Sequence, residues 1–558
     1  EQVFELREEY PLSQTQQGIF VECLRMPGST AYNIPLLYKL DERVDIERLH
    51  SALTKALLAH PYLFMTVRTN KWGEVVAVRR TPQSVMVPVY DELPGELAEL
   101  VRPFDLTKEE QPFRAELYDT DGGKYLFLDT HHIVSDGESL DVLFSDVEAA
   151  YAGGEVAAET YTGFEFALDE ERARASERLG EAKAFYDGIF AGCGGDTMPP
   201  KDGVQGSEGE VTVQVSVPVA DAVRSYCDAH NLTAGAFLTT AFGHALRSFT
   251  SAEDAAIFAT IYNGRSDSRL GNVVSMLVKT LPVSYAAEPT TRVAAAIEAC
   301  QSYLLDAMAN DLYSFAEISR AYDIAGDIIF AYQGDSPADE GIILCGYETT
   351  EIDLKLSSAK AGMDIDASLQ GDNVVIDCSY NPAQYSEYTV CGLLRMMATV
   401  CGEFTLRETL AEVRLTTAED EKAISELHDT AWPVPERPAY RLLQDQAEAH
   451  PDRVALVACD RTLTYGELNA EANAVGHALA AAGAGPDSMV AVMAERNSWA
   501  YVMRQGALKA GGAFLPIDPE YPEERVRYIL EDSGAKLLVT TQAVLDQRSE
   551  LFSNLEDL

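Results

Sequence analysis

The sequence is short of basic residues. Its 558 residues include 43 lysines and arginines against 89 aspartates and glutamates, which gives a formal net charge of −46 at pH 7. A field of that sign repels phosphate backbones and anionic lipid surfaces. The composition therefore argues against nucleic acid and membrane surfaces as partners, and we interpret the acidity only as a source of solubility.

Sequence signals of secretion, membrane insertion and metal binding are missing as well. The nine cysteines form no CxxC pair, and the N-terminus lacks the basic-then-apolar pattern of a signal peptide. No apolar run reaches the roughly 18 to 20 residues that a membrane span needs. None of the nine histidines has HExxH or paired-histidine spacing. We therefore expect reduced thiols, a cytoplasmic protein and no dedicated metal site.

The length exceeds that of one ordinary domain, and 47% hydrophobic residues can fill several cores. A Gly-, Pro- and charge-rich stretch at 193–209 indicates a boundary between lobes, and a polar, Pro-bearing stretch after about 415 indicates a linker. The sequence therefore predicts four segments: residues 1–190, 191–415, a linker at 416–436, and 437–558.

Hydrophobic periodicity predicts the local elements. The predicted elements are a helix over 45–60 that Pro61 ends, a buried strand over 124–129, a helix over 139–152 capped by Ser139, a polar helix over 170–187 and a strand over 211–219. From residue 437, the apolar runs VALVA, MVAVMA, GAFLPI and KLLVTT alternate with helical stretches. That alternation predicts a parallel α/β sheet.

The stretch THHIVSDGESL at 130–140 follows the predicted buried strand and concentrates polar chemistry in a few residues. Strand alternation places His131 and His132 on opposite faces, so the two rings have different surroundings and different roles. Asp136 lies in the turn before a helix, where a carboxylate pairs with a cation or caps backbone amides. Gly137 permits backbone angles that other residues resist. By itself, this pattern also fits a strand end with a core histidine and a capping aspartate.

The order of motifs along the chain decides between these readings. HHIVSDG resembles the HHxxxDG signature of the condensation domains of nonribosomal peptide synthetases, which are relatives of chloramphenicol acetyltransferase. Six further stretches resemble the family's other motifs in the same order: YPLSQTQQGIF at 10–20, HPYLFMTVR at 60–68, FEFAL at 164–168, NGRSDSRLGNVVSMLVKTLPV at 263–283, NDLYSF at 310–315 and DIIFAYQG at 327–334. The resemblance extends from about residue 8 to residue 415.

The resemblance implies an α/β fold of two chloramphenicol-acetyltransferase-like lobes in a V, followed by a partial parallel α/β subdomain. It also implies amide-bond formation between a donor aminoacyl or peptidyl thioester and the α-amine of an acceptor aminoacyl thioester, each on a peptidyl carrier protein. His132 matches the family's active-site histidine, which acts as a general base or as a positioner of the amine.

The resemblance assigns roles to other residues too. Gly137 is expected to leave room at the tunnel wall and to offer its backbone amide to the oxyanion. His131 and Asp136 are expected to be structural, with Asp136 paired to Arg265 of the NGR stretch. Two glutamines are candidates for tunnel-lining residues: Gln16 and Gln333.

The C-terminal stretches LTYGEL at 463–468 and LKAGGAFLPIDPEYP at 508–522 resemble the first two motifs of an adenylation domain. The Ser/Thr/Gly-rich phosphate-binding loop that follows them in that family does not occur in this sequence. We therefore expect no cofactor bound by the condensation part, with ATP and Mg²⁺ used only by a complete adenylation domain. The implied partners are donor and acceptor carrier proteins, with their phosphopantetheine arms, and an adjoining adenylation domain.

Departures from the family pattern keep alternatives open. Ala331 replaces a frequent polar residue, the match at 164–168 is poor, and Glu138 stands where tryptophan is more usual. An epimerisation-type relative is disfavoured by Gly137, and a heterocyclisation domain is excluded by both histidines. A free-standing acyltransferase acting on coenzyme A or an alcohol is disfavoured by the adenylation-like stretch. A non-catalytic recruitment platform remains as the alternative to a condensing enzyme.

Overall fold

A computed structural model of the chain describes residues 6–207, 209–336, 342–354, 362–434, 436–553 and 555. The chain divides into two compact units, Glu1–Leu427 and His428–Leu558. Both units mix helices with β-sheet, as the sequence predicted.

The first half of the larger unit is built on a sheet in which β2, β7, β6 and β5 lie side by side. Its elements in chain order are β1 (Glu9–Pro11), α1 (Gln14–Arg25), β2 (Asn33–Leu40), α2 (Ile46–Ala59), β3 (Thr66–Thr69), β4 (Val75–Val78), β5 (Val89–Tyr90), β6 (Phe113–Thr120), β7 (Gly123–His131), α3 (Gly137–Tyr151), α4 (Gly163–Arg174) and α5 (Arg178–Phe190). Strands β1, β4 and β3 form a separate three-stranded sheet.

Alternation along β7 separates two cores. Leu126 and Leu128 pack into the core that also contains the apolar faces of α2 and α3, whereas Phe127 packs with Leu37 and Tyr118. The two faces that the sequence predicted for this strand are therefore confirmed. Burial on both faces makes β7 a rigid base for the polar residues that follow it.

The second half of the larger unit contains a six-stranded sheet in the order β10-β9-β11-β15-β16-β8. Its elements are β8 (Val211–Val217), α6 (Ala220–His230), α7 (Ala234–Thr250), β9 (Ala256–Tyr262), β10 (Lys279–Tyr285), α8 (Val293–Ala309), α9 (Phe315–Tyr322), β11 (Ile328–Ser336), β12 (Ile343–Leu344), β13 (Tyr347–Glu348), β14 (Thr350–Glu351), β15 (Met363–Gln370), β16 (Asn373–Tyr380), α10 (Glu387–Phe404) and α11 (Ala418–His428). Helices α7 and α10 cover its apolar face, where Phe242 stacks on Phe330 with ring centroids 4.8 Å apart.

One segment of the second half crosses to the first. Between β11 and β15 the chain leaves the six-stranded sheet, and Leu344 and Cys345 enter the core beneath α3. Glu148 of α3 accepts the backbone N–H groups of Cys345 and Gly346. Strand β14 then pairs antiparallel with β2 and becomes the edge of the five-stranded sheet. The two halves are thus joined by shared β-structure.

The smaller unit contains a three-stranded parallel sheet in the order β20-β19-β21. Its elements are α12 (Ala439–Ala449), β17 (Val454–Val457), β18 (Thr462–Thr464), α13 (Tyr465–Ala481), β19 (Met489–Met493), α14 (Ser498–Lys509), β20 (Ala513–Ile517), α15 (Glu523–Ser533), β21 (Leu537–Thr540), α16 (Gln542–Gln547) and α17 (Ser549–Ser553). The predicted parallel sheet is confirmed for three of the four apolar runs.

Three local predictions are wrong. VALVA forms β17 of an antiparallel hairpin with β18, because only the short turn ending at Arg461 separates the strands. The polar helix expected over 170–187 is two helices, α4 and α5. Helix α3 begins at Gly137 with Asp136 as its cap, two residues before the start expected from Ser139.

Candidate functional site

The HHxxxDG residues lie where β7 ends and α3 begins. The strand ends at His131, a short turn follows, and the helix starts at Gly137. Asp136 adopts an extended backbone at the helix cap, and its side chain accepts the N–H of Ser139 at 2.9 Å. A tight connection from a buried strand to a capped helix fixes the direction of every side chain in this motif.

His131 is 3% exposed and belongs to the packed interior. Its Nδ1 accepts the backbone N–H of Ile133 at 3.0 Å, so Nε2 carries the hydrogen in the neutral ring. That Nε2 lies 3.5 Å from the Sγ of Cys23, and Tyr32 and Phe104 flank the ring. These contacts support the structural role that the sequence assigned to this histidine.

His132 is half-buried, whereas its neighbour His131 is buried. Its Nδ1 lies 3.0 Å from the carbonyl oxygen of Ser135, and its backbone N–H donates to the carbonyl of Tyr32 at 2.7 Å. A carbonyl oxygen only accepts, so Nδ1 carries the hydrogen of the neutral imidazole. The lone pair then lies on Nε2, which is the form that can take a proton or accept a hydrogen bond from an amine.

Asp136 is completely buried and gathers donors from both halves of the unit. Ser139 Oγ donates to it at 2.6 Å, and the backbone N–H groups of Leu277 and Val278 donate at 2.9 and 3.2 Å. Arg265, whose side chain is 5% exposed, forms an ion pair with it at 3.0 Å. A buried carboxylate needs such partners, because an uncompensated buried charge costs several kcal/mol.

Arg265 does more than neutralise Asp136. Its guanidinium also donates to the carbonyl oxygens of Leu270 at 2.6 Å and Val273 at 2.8 Å. Next to it, Asn263 donates to Glu138 Oε1 at 3.1 Å. The loop after β9 is therefore folded around Arg265 and attached to the start of α3.

Gly137 differs in part from its expected role. Its φ does not lie in the left-handed region, so the predicted special backbone angle is wrong, and the residue simply forms the first turn of α3. A Cβ built on Gly137 would meet no atom within 4 Å. The glycine therefore borders open space, and its expected place at a tunnel wall stays a prediction.

Gln16 is 1% exposed, so the structure corrects the expectation that it lines a channel. Its Nε2 donates to the carbonyl oxygen of Ile133 at 2.7 Å and contacts the hydroxyl of Tyr62 at 2.8 Å. Its Oε1 accepts the backbone N–H of Ser13 in the capping box of α1. Gln16 instead anchors the backbone directly after His132, because every polar atom of its side chain is engaged inside the protein.

Gln333 is exposed on β11 and donates to Asp366 Oδ1 of the neighbouring strand β15 at 2.5 Å. That contact lies in the six-stranded sheet, in a different hydrogen-bond network from that of Asp136. Its predicted position in a tunnel stays a prediction.

Two residues of this cluster were missed in the sequence. Ser139 was expected only as a helix cap, but its Oγ lies 2.6 Å from Asp136 Oδ1 and 2.8 Å from the carbonyl oxygen of Ser275, and it accepts the backbone N–H of Ser275 at 3.2 Å. Gly264 has φ +70°, and an added Cβ would lie 2.0 Å from the carbonyl oxygen of Leu277. A glycine before the loop arginine was the signal for this close approach, since tight turns favour glycine.

Replacing Gly264 by alanine is expected to lower the free energy of unfolding by about 2–3 kcal/mol, through the left-handed backbone and the clash with Leu277. Urea unfolding measures the loss. Gly180→Ala in α5 is the matched control, because its Cβ would meet no atom within 4 Å and alanine favours the helix. Equal stability of the two variants would contradict the prediction.

The described residues contain neither a metal-binding cluster nor a membrane-spanning helix. No group of three or more His, Cys, Asp or Glu side chains there could hold a metal ion. No helix in those ranges is both long and apolar enough to cross a membrane.

Comparison with curated proteins finds tyrocidine, surfactin, bacitracin and gramicidin S synthases. Tyrocidine synthase 3 of Brevibacillus parabrevis is 27% identical over 564 residues, which cover 96% of this chain and 9% of the synthase. Bacitracin synthase 2 of Bacillus licheniformis is 28% identical, with 95% of this chain and 21% of the synthase covered. The chain thus spans a small part of the length of these relatives.

Solved structures share the fold. The nonribosomal peptide synthetase FmoA3 with bound alpha-methyl-L-serine-AMP superposes with a TM-score of 0.76 at 22% identity, over 98% of this chain and 62% of that one. The first condensation domain of the calcium-dependent antibiotic synthetase, in complex with a substrate analogue, gives 0.60 at 17% identity over 73% of this chain and 99% of its own.

Family models match both parts of the chain. The AMP-binding enzyme model matches residues 443–557. The condensation domain model matches residues 6–424, which include the whole cluster around Asp136 and His132. Since that match covers well over half of the chain, the protein belongs to the condensation domain family.

Proposed function

We propose that this chain catalyses amide-bond formation between two carrier-bound substrates in nonribosomal peptide synthesis. The observation that carries the proposal is the His132 ring, whose Nδ1 is held by the Ser135 carbonyl so that the lone pair of the neutral ring lies on Nε2. Asp136, four residues after His132 in the same motif, forms the ion pair with Arg265 that joins the two halves of the unit. The similarity to peptide synthetases supports the same reaction class.

In the proposed reaction, the α-amine of the acceptor attacks the thioester carbonyl of the donor. The new C–N bond forms, the C–S bond breaks, and the donor's carrier arm leaves as a thiol that takes up the proton lost by the amine. His132 Nε2 accepts a hydrogen bond from the N–H of the acceptor amine, and this bond orients the lone pair of the amine toward the donor carbonyl. His132 then takes the proton or holds the amine while the proton leaves.

The negative charge that develops on the donor carbonyl oxygen needs a donor of its own. Gly137 is the first residue of α3, where a backbone N–H has no acceptor within the helix and the helix dipole favours negative charge. The open space beside Gly137 admits a substrate atom to this position. Gly137 is therefore proposed as an oxyanion contact through its amide.

The proposal includes partners that follow from the reaction. The donor and acceptor groups arrive on the phosphopantetheine arms of two peptidyl carrier proteins, and residues 443–557 form part of the adjoining adenylation domain, where ATP and Mg²⁺ are used. The condensation part needs no bound cofactor for the chemistry described. The chain is proposed to work in the cytoplasm, where its nine cysteines stay as free thiols.

A single-turnover assay tests the function. Donor and acceptor aminoacyl groups are loaded on separate carrier proteins, the chain is added, and intact-protein mass spectrometry follows the acceptor carrier. We expect the donor mass to move to the acceptor carrier as an amide that withstands hydroxylamine. An acceptor with an acetylated α-amine is the control and should give no product. No transfer from a panel of loaded donors, with carrier binding retained, would favour a recruitment platform instead.

A further inference from the structure

A second buried charge cluster lies outside the HHxxxDG motif. His60 follows the end of α2 and is 1% exposed. Its Nδ1 lies 2.6 Å from Glu159 Oε1, and its Nε2 lies 2.9 Å from Asp146 Oδ2 of α3. Both ring nitrogens therefore face a carboxylate oxygen at hydrogen-bond distance.

This geometry requires an extra proton. Ionised carboxylates only accept hydrogen bonds, so a ring between two of them must donate from both nitrogens as an imidazolium. Burial lowers the pKa of His60, but hydrogen bonds to Asp146 and Glu159 outweigh burial and raise the pKa to about 9. Burial raises the pKa of Glu159, against its hydrogen bond from His60. The cluster therefore holds its proton at neutral pH.

Glu159 connects this cluster to the other half of the unit. The Oε1 atom that faces His60 also accepts the backbone N–H of Val274 at 2.7 Å. The backbone N–H of Glu159 donates to the carbonyl of Ala59, which fixes Glu159 against the end of α2. His60, Glu159 and Val274 thus form one continuous chain of hydrogen bonds.

Val274 begins the segment that supplies the backbone donors of the proposed active site. Leu277 and Val278, three and four residues later, donate to Asp136. Ser275, which directly follows Val274, is hydrogen-bonded through its backbone to Ser139. The segment 274–278 is therefore fastened to the first half at both ends, by Glu159 at one end and by Asp136 at the other.

Other charged and titratable groups face the cluster. A cavity of about 1070 Å³ opens beside it, and Asp141 of α3, Tyr161 and Arg269 line the cavity together with Asp146 and Glu159. Arg265 also acts on the Glu159 carboxyl through its charge. Arg269 is paired with Asp169 and Asp267, whereas His60 lies at hydrogen-bond distance from Glu159 and Asp146. The cavity gives solvent protons a route to the cluster.

We propose that protonated His60 is a positioning residue: it holds the Glu159 carboxylate where Val274 N–H binds it, and so fixes the segment 274–278 that donates to Asp136. The placement of the segment can be tested without any substrate. Its effect on the transfer rate rests on the condensation function proposed above. Loss of the proton removes the positive charge of the ring and one of its two hydrogen bonds, which weakens the hold of His60 on the Glu159 carboxylate.

The test compares wild type with His60→Gln between pH 7 and pH 10. Glutamine is neutral and cannot donate hydrogen bonds to Glu159 and Asp146 in the two directions that the imidazolium ring does. We measure amide hydrogen exchange of peptides containing Val274, normalised to the intrinsic exchange rate at each pH, and the single-turnover transfer rate. Because His60 has a raised pKa, the contact is complete below it and is lost as pH rises through about 9.

Wild type should lose protection at Val274 about tenfold across that step, and its transfer rate should fall in parallel by roughly tenfold. His60→Gln should show the low values already at pH 7, without a step. His244→Gln is the matched control, because burial lowers the pKa of His244 to about 4 and this ring lies on α7, bonded to Tyr285. It should behave like wild type.

Asp146→Asn provides a second variant whose fold is less at risk, since Asp146 is partly exposed. Removing one carboxylate should move the loss of Val274 protection to a lower pH. Unchanged protection in His60→Gln, or a step that stays at the same pH in Asp146→Asn, would overturn the proposal. If the amide exchange at Val274 follows the expected pH dependence but wild type transfers no donor group, the condensation function is contradicted and the positioning role of His60 is still supported.

Discussion

Replacing His132 by alanine is expected to lower the rate of amide formation by about 10²- to 10⁴-fold, the range in which positioned acid–base groups contribute. The expectation follows from the ring's tautomer, because the Ser135 carbonyl holds the hydrogen on Nδ1 and leaves the accepting lone pair on Nε2. The measurement is the single-turnover transfer between loaded carriers. Wild-type rates in the alanine variant would remove His132 from the reaction.

Two further variants separate fold from chemistry. His132→Asn keeps a donor near Nδ1 for the Ser135 carbonyl but has no atom at Nε2, so it should fold like wild type and remain inactive. His132→Gln places an amide oxygen near Nε2 that accepts a hydrogen bond but does not take a proton at neutral pH. Activity of the glutamine variant well above that of alanine would identify a positioner, and equal loss would identify a proton acceptor.

Replacing Asp136 by alanine is expected to lower the free energy of unfolding by about 3–5 kcal/mol, the cost of leaving a buried charge without its partner. Arg265 would lose its counter-ion, and the backbone N–H groups of Leu277 and Val278 would lose their acceptor. Urea unfolding measures the loss of unfolding free energy. Hydrogen exchange of the backbone amides in β7 and α3 shows whether the loss arises there. Wild-type stability in this region would contradict the arrangement described here.

A double-mutant cycle with Arg265→Met isolates the ion pair. The single arginine variant should cost less than Asp136→Ala, because Asp136 keeps its bonds to Ser139, Leu277 and Val278. The double variant should be less destabilised than the sum of the two single variants, since it leaves no unpaired charge. Simple additivity would show that the two side chains do not depend on each other.

Local pattern was sufficient for the part of the site that is contiguous in sequence. Alternation along β7 predicted the two faces of the strand. The helix cap was assigned to Ser139, and Asp136 was expected either to pair with a cation or to cap backbone amides; the structure shows that it does both. The partner of Asp136 is 129 residues away, and nothing in the periodicity of either stretch connects them. Asp136 was matched with Arg265 only through the resemblance to a family that contains both motifs.

Residues whose role depends on their neighbours in space were harder to predict. Gln16 was expected at a tunnel wall, but it is enclosed by contacts with Tyr62 and Ile133 from distant stretches. His60 was visible in HPYLFMTVR, but its two carboxylates come from positions 86 and 99 residues later. Polar residues of this kind have no period of their own, so sequence alone does not show whether they face solvent, substrate or each other.

The pairing of strand β14 with β2 at the edge of the first sheet has a consequence for synthesis on the ribosome. Strand β2 is complete at Leu40, but its edge partner ends at Glu351. At bacterial-like elongation rates of ~5–20 residues per second, the roughly 310 intervening residues take about 15 to 60 s. During that interval the nascent chain carries an uncovered β-edge, a surface prone to pairing with other chains. The topology therefore leaves this edge open to pairing with other chains until late in synthesis.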